Sequence, residues 1–240
     1  MKDYLKDLVE HTYDLGCIDL IKIIGDDKDT KIFGVAEDLS VILFGEFKNP
    51  AADFVGTFGM PNLNKLKILL NLQEYKENAK LSLTHRTTGE PDGINFENAA
   101  GDFKNNYRFM PFEVVTTKLK TLKFAGATWH VEFQPTVSAI QRLRMQAQAN
   151  AEELNFQVKT EDGHLKFFFG DHSTHAGNFV FQHDVGGALK RTWLFPAQQL
   201  INILSLAGDK TVRISDDGAA QITVDSGIAV YNYFLPAQSK

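Results

Sequence analysis

Apolar and polar residues along the chain alternate with two different periods, one helical and one strand-like. The first fifteen residues have helical spacing, and Gly16 ends this pattern in the way that glycine ends many helices. Shorter apolar runs follow, separated by turn residues such as those at 25–27 and 48–50, and this is the pattern expected of strands. The residues on the apolar face of the first helix are Tyr4, Leu5, Leu8, Val9, Thr12 and Leu15.

The same order of elements is predicted twice. The first half has strands at 18–24, 30–36, 39–47 and 53–58, a helix starting at Pro61, and strands at 80–86, 93–98 and 102–109. The second half has a strand at 128–133, a helix over 135–150, strands at 155–160, 164–170, 178–183 and 189–195, a helix starting at Pro196, and strands at 211–215, 219–224 and 229–235. Short, hairpin-linked strands with few helices predict an α+β fold with antiparallel sheets.

Three pairs of segments relate the two halves. Both Pro-initiated helices carry leucine or isoleucine at matching positions, and Asp-Gly dipeptides follow at 92–93 and 217–218 as hairpin-turn candidates. Phe109-Met110-Pro111 and Phe234-Leu235-Pro236 then lie at equal distances from those dipeptides. We interpret this as two tandem domains, 1–110 and 126–240, joined by a connector at 111–125. Independent use of common helix and turn residues is the alternative.

Composition and charge narrow the functional classes. The chain has 240 residues and one cysteine, Cys17, which excludes an internal disulfide and favours a reducing, cytoplasmic location. No apolar run approaches the roughly 20 residues of a membrane span. The net charge of −5 argues against a protein that simply coats nucleic acid, but acids are absent between Asp53 and Glu74 and between Glu132 and Glu152. The negative net charge is therefore compatible with positive charge concentrated on the two helices of these segments.

Two copies of a helix–strands–helix–strands unit, a long connector and the ending Tyr-Asn-Tyr-Phe-Leu-Pro resemble the DNA polymerase sliding clamps. The two-repeat length is similar to the trimeric clamps of T-even-type phages and the cellular proliferating-cell clamp. The cellular clamps place Ala between Leu and Pro, so the phage type is the closer resemblance. The resemblance implies a non-enzymatic processivity factor without cofactor: a head-to-tail homotrimeric ring that encircles double-stranded DNA without sequence specificity. Its partners would be a DNA polymerase and a clamp-loader ATPase, in the host cytoplasm if the protein is phage-encoded.

Helices would line the hole of such a ring, and phosphate contacts there would permit sliding because they carry no sequence information. The alternative is that these cations are ordinary surface-helix residues. Lys2 and Lys6 lie among acids on the first helix and are weaker candidates than the other four. The predicted DNA-facing residues are Lys65, Lys67, Arg142, Arg144, Lys2 and Lys6.

The resemblance also implies a subunit interface and a partner pocket. Subunits would pair the strands 103–109 and 189–195, unless both strands lie inside one monomer's sheet. An apolar pocket under the connector would bind short peptides, unless its residues only pack the domain junction. The interface candidates are Phe103, Tyr107, Phe109, Leu189, Arg191 and Trp193, and the pocket candidates are Phe112, Val114, Val115, Leu119, Phe234, Leu235 and Pro236.

Two other functional classes compete with the clamp. A virion structural β-rich protein would also contain repeats and antiparallel sheets. A metal-dependent hydrolase would use the histidines at 164, 172, 175 and 183, of which His172 and His175 have a ligand-like spacing. This stretch is rich in Gly, Ser and Thr, which favours solvated surface histidines and no metal site. No Gly-x-x-x-x-Gly-Lys-Ser/Thr pattern occurs, so any ATP-driven step belongs to another protein.

Overall fold

The computed structural model describes residues 1–87, 89–120, 126–171, 173 and 175–238. The chain folds into two compact units. Unit 1 comprises Met1–Glu37, Leu43–Lys123 and Ser226–Tyr231, and unit 2 comprises Asp38–Ile42, Phe124–Asp225 and Asn232–Lys240. Among the described residues, no helix is long and apolar enough to cross a membrane.

The described residues of unit 1 form three α-helices and two sets of antiparallel strands. One set has the strand order β4-β1-β2-β3 and the other the order β5-β6-β7. The elements are α1 (Lys2–His11), β1 (Leu20–Gly25), β2 (Thr30–Val35), β3 (Ile42–Phe47), β4 (Gly56–Pro61), α2 (Leu63–Asn71), β5 (Lys80–His85), β6 (Pro91–Glu97), β7 (Lys104–Arg108) and α3 (Phe112–Lys118), with short 3-10 turns at Tyr13–Leu15 and Gln73–Tyr75.

Unit 2 repeats this plan. One sheet has the order β11-β10-β9-β12, and a second set has the order β15-β14-β13-β8. The elements are β8 (Val131–Phe133), α4 (Val137–Ala149), β9 (Asn155–Glu161), β10 (His164–Phe169), β11 (Gly177–Gln182), β12 (Trp193–Pro196), α5 (Ala197–Ser205), β13 (Asp209–Ser215), β14 (Ala219–Asp225) and β15 (Ala229–Pro236), of which β15 gives its first three residues to unit 1.

Strand order confirms the predicted α+β class and agrees with an internal duplication. In each unit the strand before the second helix pairs with the first strand of its set of four: β4 pairs with β1, and β12 pairs with β9. Each of these two strands also forms an isolated bridge: Gly59 of β4 pairs with Met110, and Leu194 of β12 pairs with Gln238. Gly59 and Leu194 each precede the proline at the end of their strand by two residues.

Several local predictions were wrong. Asp92 and Gly93 are not a turn but lie inside β6, because the hairpin between β5 and β6 closes earlier, where the Gly89 N–H donates to the Arg86 carbonyl. Asp217-Gly218, in contrast, does form the turn between β13 and β14. Pro61 is the last residue of β4, and Asn62 is the N-cap of α2. Pro61 therefore ends a strand without opening the helix, whereas Pro196 both ends β12 and is the N-cap of α5.

Phenylalanine fills both cores. In unit 1, Phe58 stacks on Phe109 with ring centroids 4.4 Å apart. In unit 2, Phe167 stacks on Phe181 at the same distance, and Phe156 lies 4.5 Å from Phe167. The run 167–169 alternates as a strand requires, with Phe167 and Phe169 buried and Phe168 half-buried on the other face. These buried rings therefore pack the core of the unit to which each belongs.

Candidate nucleic-acid interface and partner surface

Helix α4 carries the strongest of the predicted DNA-facing pairs. The Thr136 side chain caps the helix by accepting from the Ala139 N–H at 3.1 Å. Arg142 and Arg144 are both exposed. The Arg142 guanidinium lies over the Phe179 ring, 5.3 Å from its centroid, and Arg144 donates a hydrogen bond to the Ser205 hydroxyl of α5. These contacts orient two cations without neutralising them, because neither partner is an acid.

Helix α2 presents its two lysines differently. Asn62 adopts a left-handed conformation (φ 53°) and caps the helix by accepting from the Lys65 N–H at 3.2 Å. Lys65 is exposed. The Lys67 ammonium lies 2.7 Å from the Asp14 carboxylate, and this hydrogen bond raises the pKa of Lys67. The Lys67 charge is thus partly compensated within unit 1, and Lys65 is the better placed of the two to contact a phosphate.

Helix α1 has one predicted DNA-facing lysine whose ammonium is engaged within unit 1. The Lys2 ammonium donates to the carbonyls of Tyr75 (2.6 Å) and Lys76 (3.1 Å), which fixes the helix start to the turn after α2. Lys6 is exposed, between exposed Asp3 and Glu10. The structure therefore gives Lys2 a role inside unit 1. The sequence carried no sign of it because the two partners are backbone carbonyls.

The predicted connector is not an irregular loop in its described part. Residues Phe112–Lys118 form α3, which belongs to unit 1. Val115 and Leu119 are buried within the unit, whereas Phe112 (47% exposed) and Val114 (42% exposed) face outward. Of the four connector candidates, Phe112 and Val114 are therefore the two whose side chains a partner could contact. The connector residues 121–125 lie outside the described residues.

The remaining pocket candidates belong to unit 2. Leu235 is fully buried there, and Phe234 and Pro236 are half-buried. Leu235 therefore stabilises the core of its unit. The grouping of these residues with α3 in one pocket stays a prediction.

Three interface candidates on the first predicted strand have distinct environments. Phe103 is 41% exposed, whereas Tyr107 and Phe109 are buried within unit 1. The Tyr107 hydroxyl donates to the Pro61 carbonyl at 2.6 Å, and burial raises the pKa of Tyr107 far above its ordinary value. The side chains of Tyr107 and Phe109 pack within unit 1, so Phe103 is the one of these three candidates whose side chain is exposed, and pairing with a subunit stays a prediction.

The second predicted interface strand is shorter than expected. Regular strand structure covers Trp193–Pro196 only, and residues 189–192 precede it as a loop. The Asp216 carboxylate accepts from the N–H groups of Lys190 (2.8 Å) and Arg191 (3.2 Å), and Leu189 is buried. Arg191 itself is exposed, and Trp193 lies against Gly218.

Sequence reasoning missed the available edge of this sheet. β12 is an end strand whose outer side already receives Gln238, through the bridge to Leu194. β11 is the other end strand, and in the described part of the chain no strand pairs with its outer side. The strand itself was predicted at 178–183, but its residues do not show that it lies at the edge of the sheet, because strand order depends on pairing between distant segments.

The histidine group does not form a metal site in the described residues, where no three His, Cys, Asp or Glu side chains come close enough together. His164 and His183 are in edge-to-face contact, 5.0 Å between centroids, and the His164 Nδ1 accepts from the Asp184 N–H. His172 lies outside the described residues. These contacts order a hairpin on the surface of unit 2.

One open space on unit 2 is large enough to be compared with the predicted sites. A space of about 410 Å³ in unit 2 is lined by acids (Glu153, Asp171), by amides and by the apolar side chains of Leu154, Phe168 and Leu194. It is shallow and open, and nothing in its lining selects a ligand.

Solved structures with the same fold exist. The chain matches one from the complex described as the C-terminal region of FEN-1 bound to A. fulgidus PCNA, with a TM-score of 0.72 and 10% identity over 100% of this chain and 96% of the other. This chain has the PCNA fold. A second match is PCNA from Thermococcus kodakaraensis, with a TM-score of 0.69 and 12% identity over 99% of this chain and 97% of the other. No family model matches the sequence, and no curated protein matches it either.

The PCNA fold agrees with the resemblance drawn from the sequence, over the whole length of the chain. At 10–12% identity the likeness concerns the fold alone. The phage-type detail stays a prediction.

Proposed function

We propose that the protein is a sliding clamp: a homotrimeric ring that encircles duplex DNA and tethers a DNA polymerase. The observation that carries the proposal is the duplicated PCNA fold together with helices α2 and α4, which bear exposed Lys65, Arg142 and Arg144 in acid-free segments. The neighbouring helix α5 carries no charged residue. Cations that touch only phosphates allow a ring to slide.

Subunits would join through strand edges. The β7 edge stays the candidate in unit 1. For unit 2, β11 replaces the segment 189–195, because 189–192 is held by Asp216 and the outer side of β12 is paired with Gln238. Pairing between β7 and β11 would create a heterologous interface, which closes into a ring at the correct rotation.

A clamp-loader ATPase and a DNA polymerase are the proposed protein partners. Phe112 and Val114 are the exposed apolar residues of α3 available to their peptides. The protein itself would catalyse no reaction. Its location would be that of the replication machinery, in the cytoplasm.

Retention on DNA of different topology tests this function. Native mass spectrometry of the 26.9 kDa chain should give a mass three times larger. The loaded protein should remain on nicked circular DNA and dissociate from the same DNA after linearisation, because a ring slides off free ends. Equal retention on both forms, or a monomer that leaves polymerase processivity unchanged, would exclude the clamp.

A further inference from the structure

A lysine lies in the most buried part of β1. Lys22 is 2% exposed and stands between the fully buried Ile21 and Ile23. Its cross-strand neighbours are Phe33 on β2 and Gly59 on β4. These three residues form a row across the sheet on one face, and we call them the 59–22–33 row. A buried cation is expensive unless something specific compensates it.

Helix α3 lies on this row. Gly59 exchanges two backbone hydrogen bonds of 2.8 Å with Met110, just before the helix. A Cβ on Gly59 would be 2.7 Å from the Cγ2 of Val115, so the glycine is what lets Val115 approach the sheet. The start and the middle of α3 are therefore held by β4.

Lys22 contacts the C-terminal end of α3. Its ammonium donates to the Leu119 carbonyl at 3.0 Å and lies 5.1 Å from the centroid of the Phe33 ring. Leu119 is the C-cap of α3, where carbonyls have no partner within the helix and a positive charge is favourable. Desolvation lowers the pKa of Lys22, as burial does for any ammonium.

Lysine is rarely found fully buried in a protein. Methionine has a similar length, would fill the space beside Phe33 and would avoid the desolvation cost. What lysine adds is a donor that reaches the end of α3. This hydrogen bond ties the C-cap of α3 to β1.

We propose that Lys22 is a positioning residue that locks α3 against the 59–22–33 row, so that Phe112 and Val114 are presented to partner peptides in one fixed orientation. Presentation to a partner rests on the proposed clamp function, whereas the lock itself does not. Pre-organisation of this kind lowers the entropic cost of binding.

Amide hydrogen exchange tests the lock directly. In Lys22→Met, the Val115 and Leu119 amides, which donate to the carbonyls of Pro111 and Val115, should exchange at least about tenfold faster relative to Ile94 in the core of β6. Referring the rates to Ile94 separates local release of α3 from general destabilisation. Lys31→Met, at an exposed position on β2, is the matched control and should leave α3 unchanged.

A rescue variant strengthens the test. Cys17→Ala with Lys22→Cys can be alkylated with 2-bromoethylamine in denaturant and refolded, which restores an ammonium at nearly the original position. Alkylation should restore the protection of α3. Unchanged α3 exchange in Lys22→Met, or no recovery on alkylation, would overturn the proposal.

Clamp-stimulated synthesis by the cognate polymerase provides the functional readout. Lys22→Met should require at least about fivefold more protein for half-maximal stimulation, with the trimer mass unchanged. Faster exchange with wild-type stimulation would refute presentation to the partner while leaving the lock intact. If the wild-type protein gives no stimulation, the proposed clamp function fails, and the exchange data alone decide the lock.

Discussion

Gly59 and Val115 are in contact at a distance that no side chain on residue 59 would allow. A Cβ there would meet two atoms of Val115 at 2.7 and 2.9 Å and the Met110 Cβ at 3.1 Å. Real Cβ atoms do not approach other heavy atoms at 2.7 Å, so either α3 or β4 would have to move. The packing of the connector helix thus depends on the absence of one methyl group.

Gly59→Ala should lower the free energy of unfolding by about 1–3 kcal/mol, the usual cost of inserting a methyl group into a packed site. Urea denaturation measures the change. Gly186→Ala is the control, because nothing lies within 4 Å of the added Cβ. Equal stability of the two variants would contradict the close packing of α3.

Tyr107→Phe should cost about 1 kcal/mol at neutral pH, because the hydrogen bond to the Pro61 carbonyl is lost. Burial raises the pKa of Tyr107 in the folded state above its ordinary value of 10.0. The unfolded state therefore loses a proton first, and wild-type stability falls above about pH 10 by up to about 1.4 kcal/mol per pH unit from this group. The free energy of unfolding of the wild type should therefore no longer exceed that of Tyr107→Phe at about pH 11. Parallel stability curves from about pH 8 to pH 11 would argue against a buried phenol.

Arg142→Glu combined with Arg144→Glu should weaken retention on circular DNA while leaving the trimer mass unchanged. The slope of log affinity against log salt should fall by about 0.9 for each phosphate that the variant no longer neutralises. Lys28→Glu with Lys31→Glu, in the β1–β2 hairpin, makes the same change in net charge as a control. If both double variants behave alike, α4 does not face DNA.

Asp216→Asn should loosen the segment before β12. Burial alone would raise the pKa of Asp216, but hydrogen bonds from the Lys190 and Arg191 N–H groups outweigh this effect and lower it. The carboxylate therefore contributes stability above its unfolded pKa of 3.8, and this contribution is lost as the pH falls below that value. We expect a loss of about 1 kcal/mol at neutral pH and faster exchange at residues 190 and 191. Asp217→Asn is the control, and equal exchange in both variants would rule out this role.

Local patterns predicted most elements, because a strand or an amphipathic helix needs only its own periodicity to be recognised. The apolar runs located β1, β2 and β10, and the leucine spacing located α2. Asp92-Gly93 failed as a turn because β6 runs through it, with a register shift against β5 at Asp92 and with Gly93 paired to Thr84 and Arg108. Such pairing is decided between segments, which a dipeptide cannot reveal.

The sequence by itself determined the α+β class, the duplicated element order and the acid-free helices, since all three follow from residue type and spacing. Tertiary structure decided which of those residues are accessible. Lys2 and Lys67 bind acceptors within unit 1, Tyr107 and Leu235 are buried, and Lys22 reaches Leu119. Each of these interactions joins residues far apart in the chain, so the free energy that fixes them arises only after the sheets have assembled.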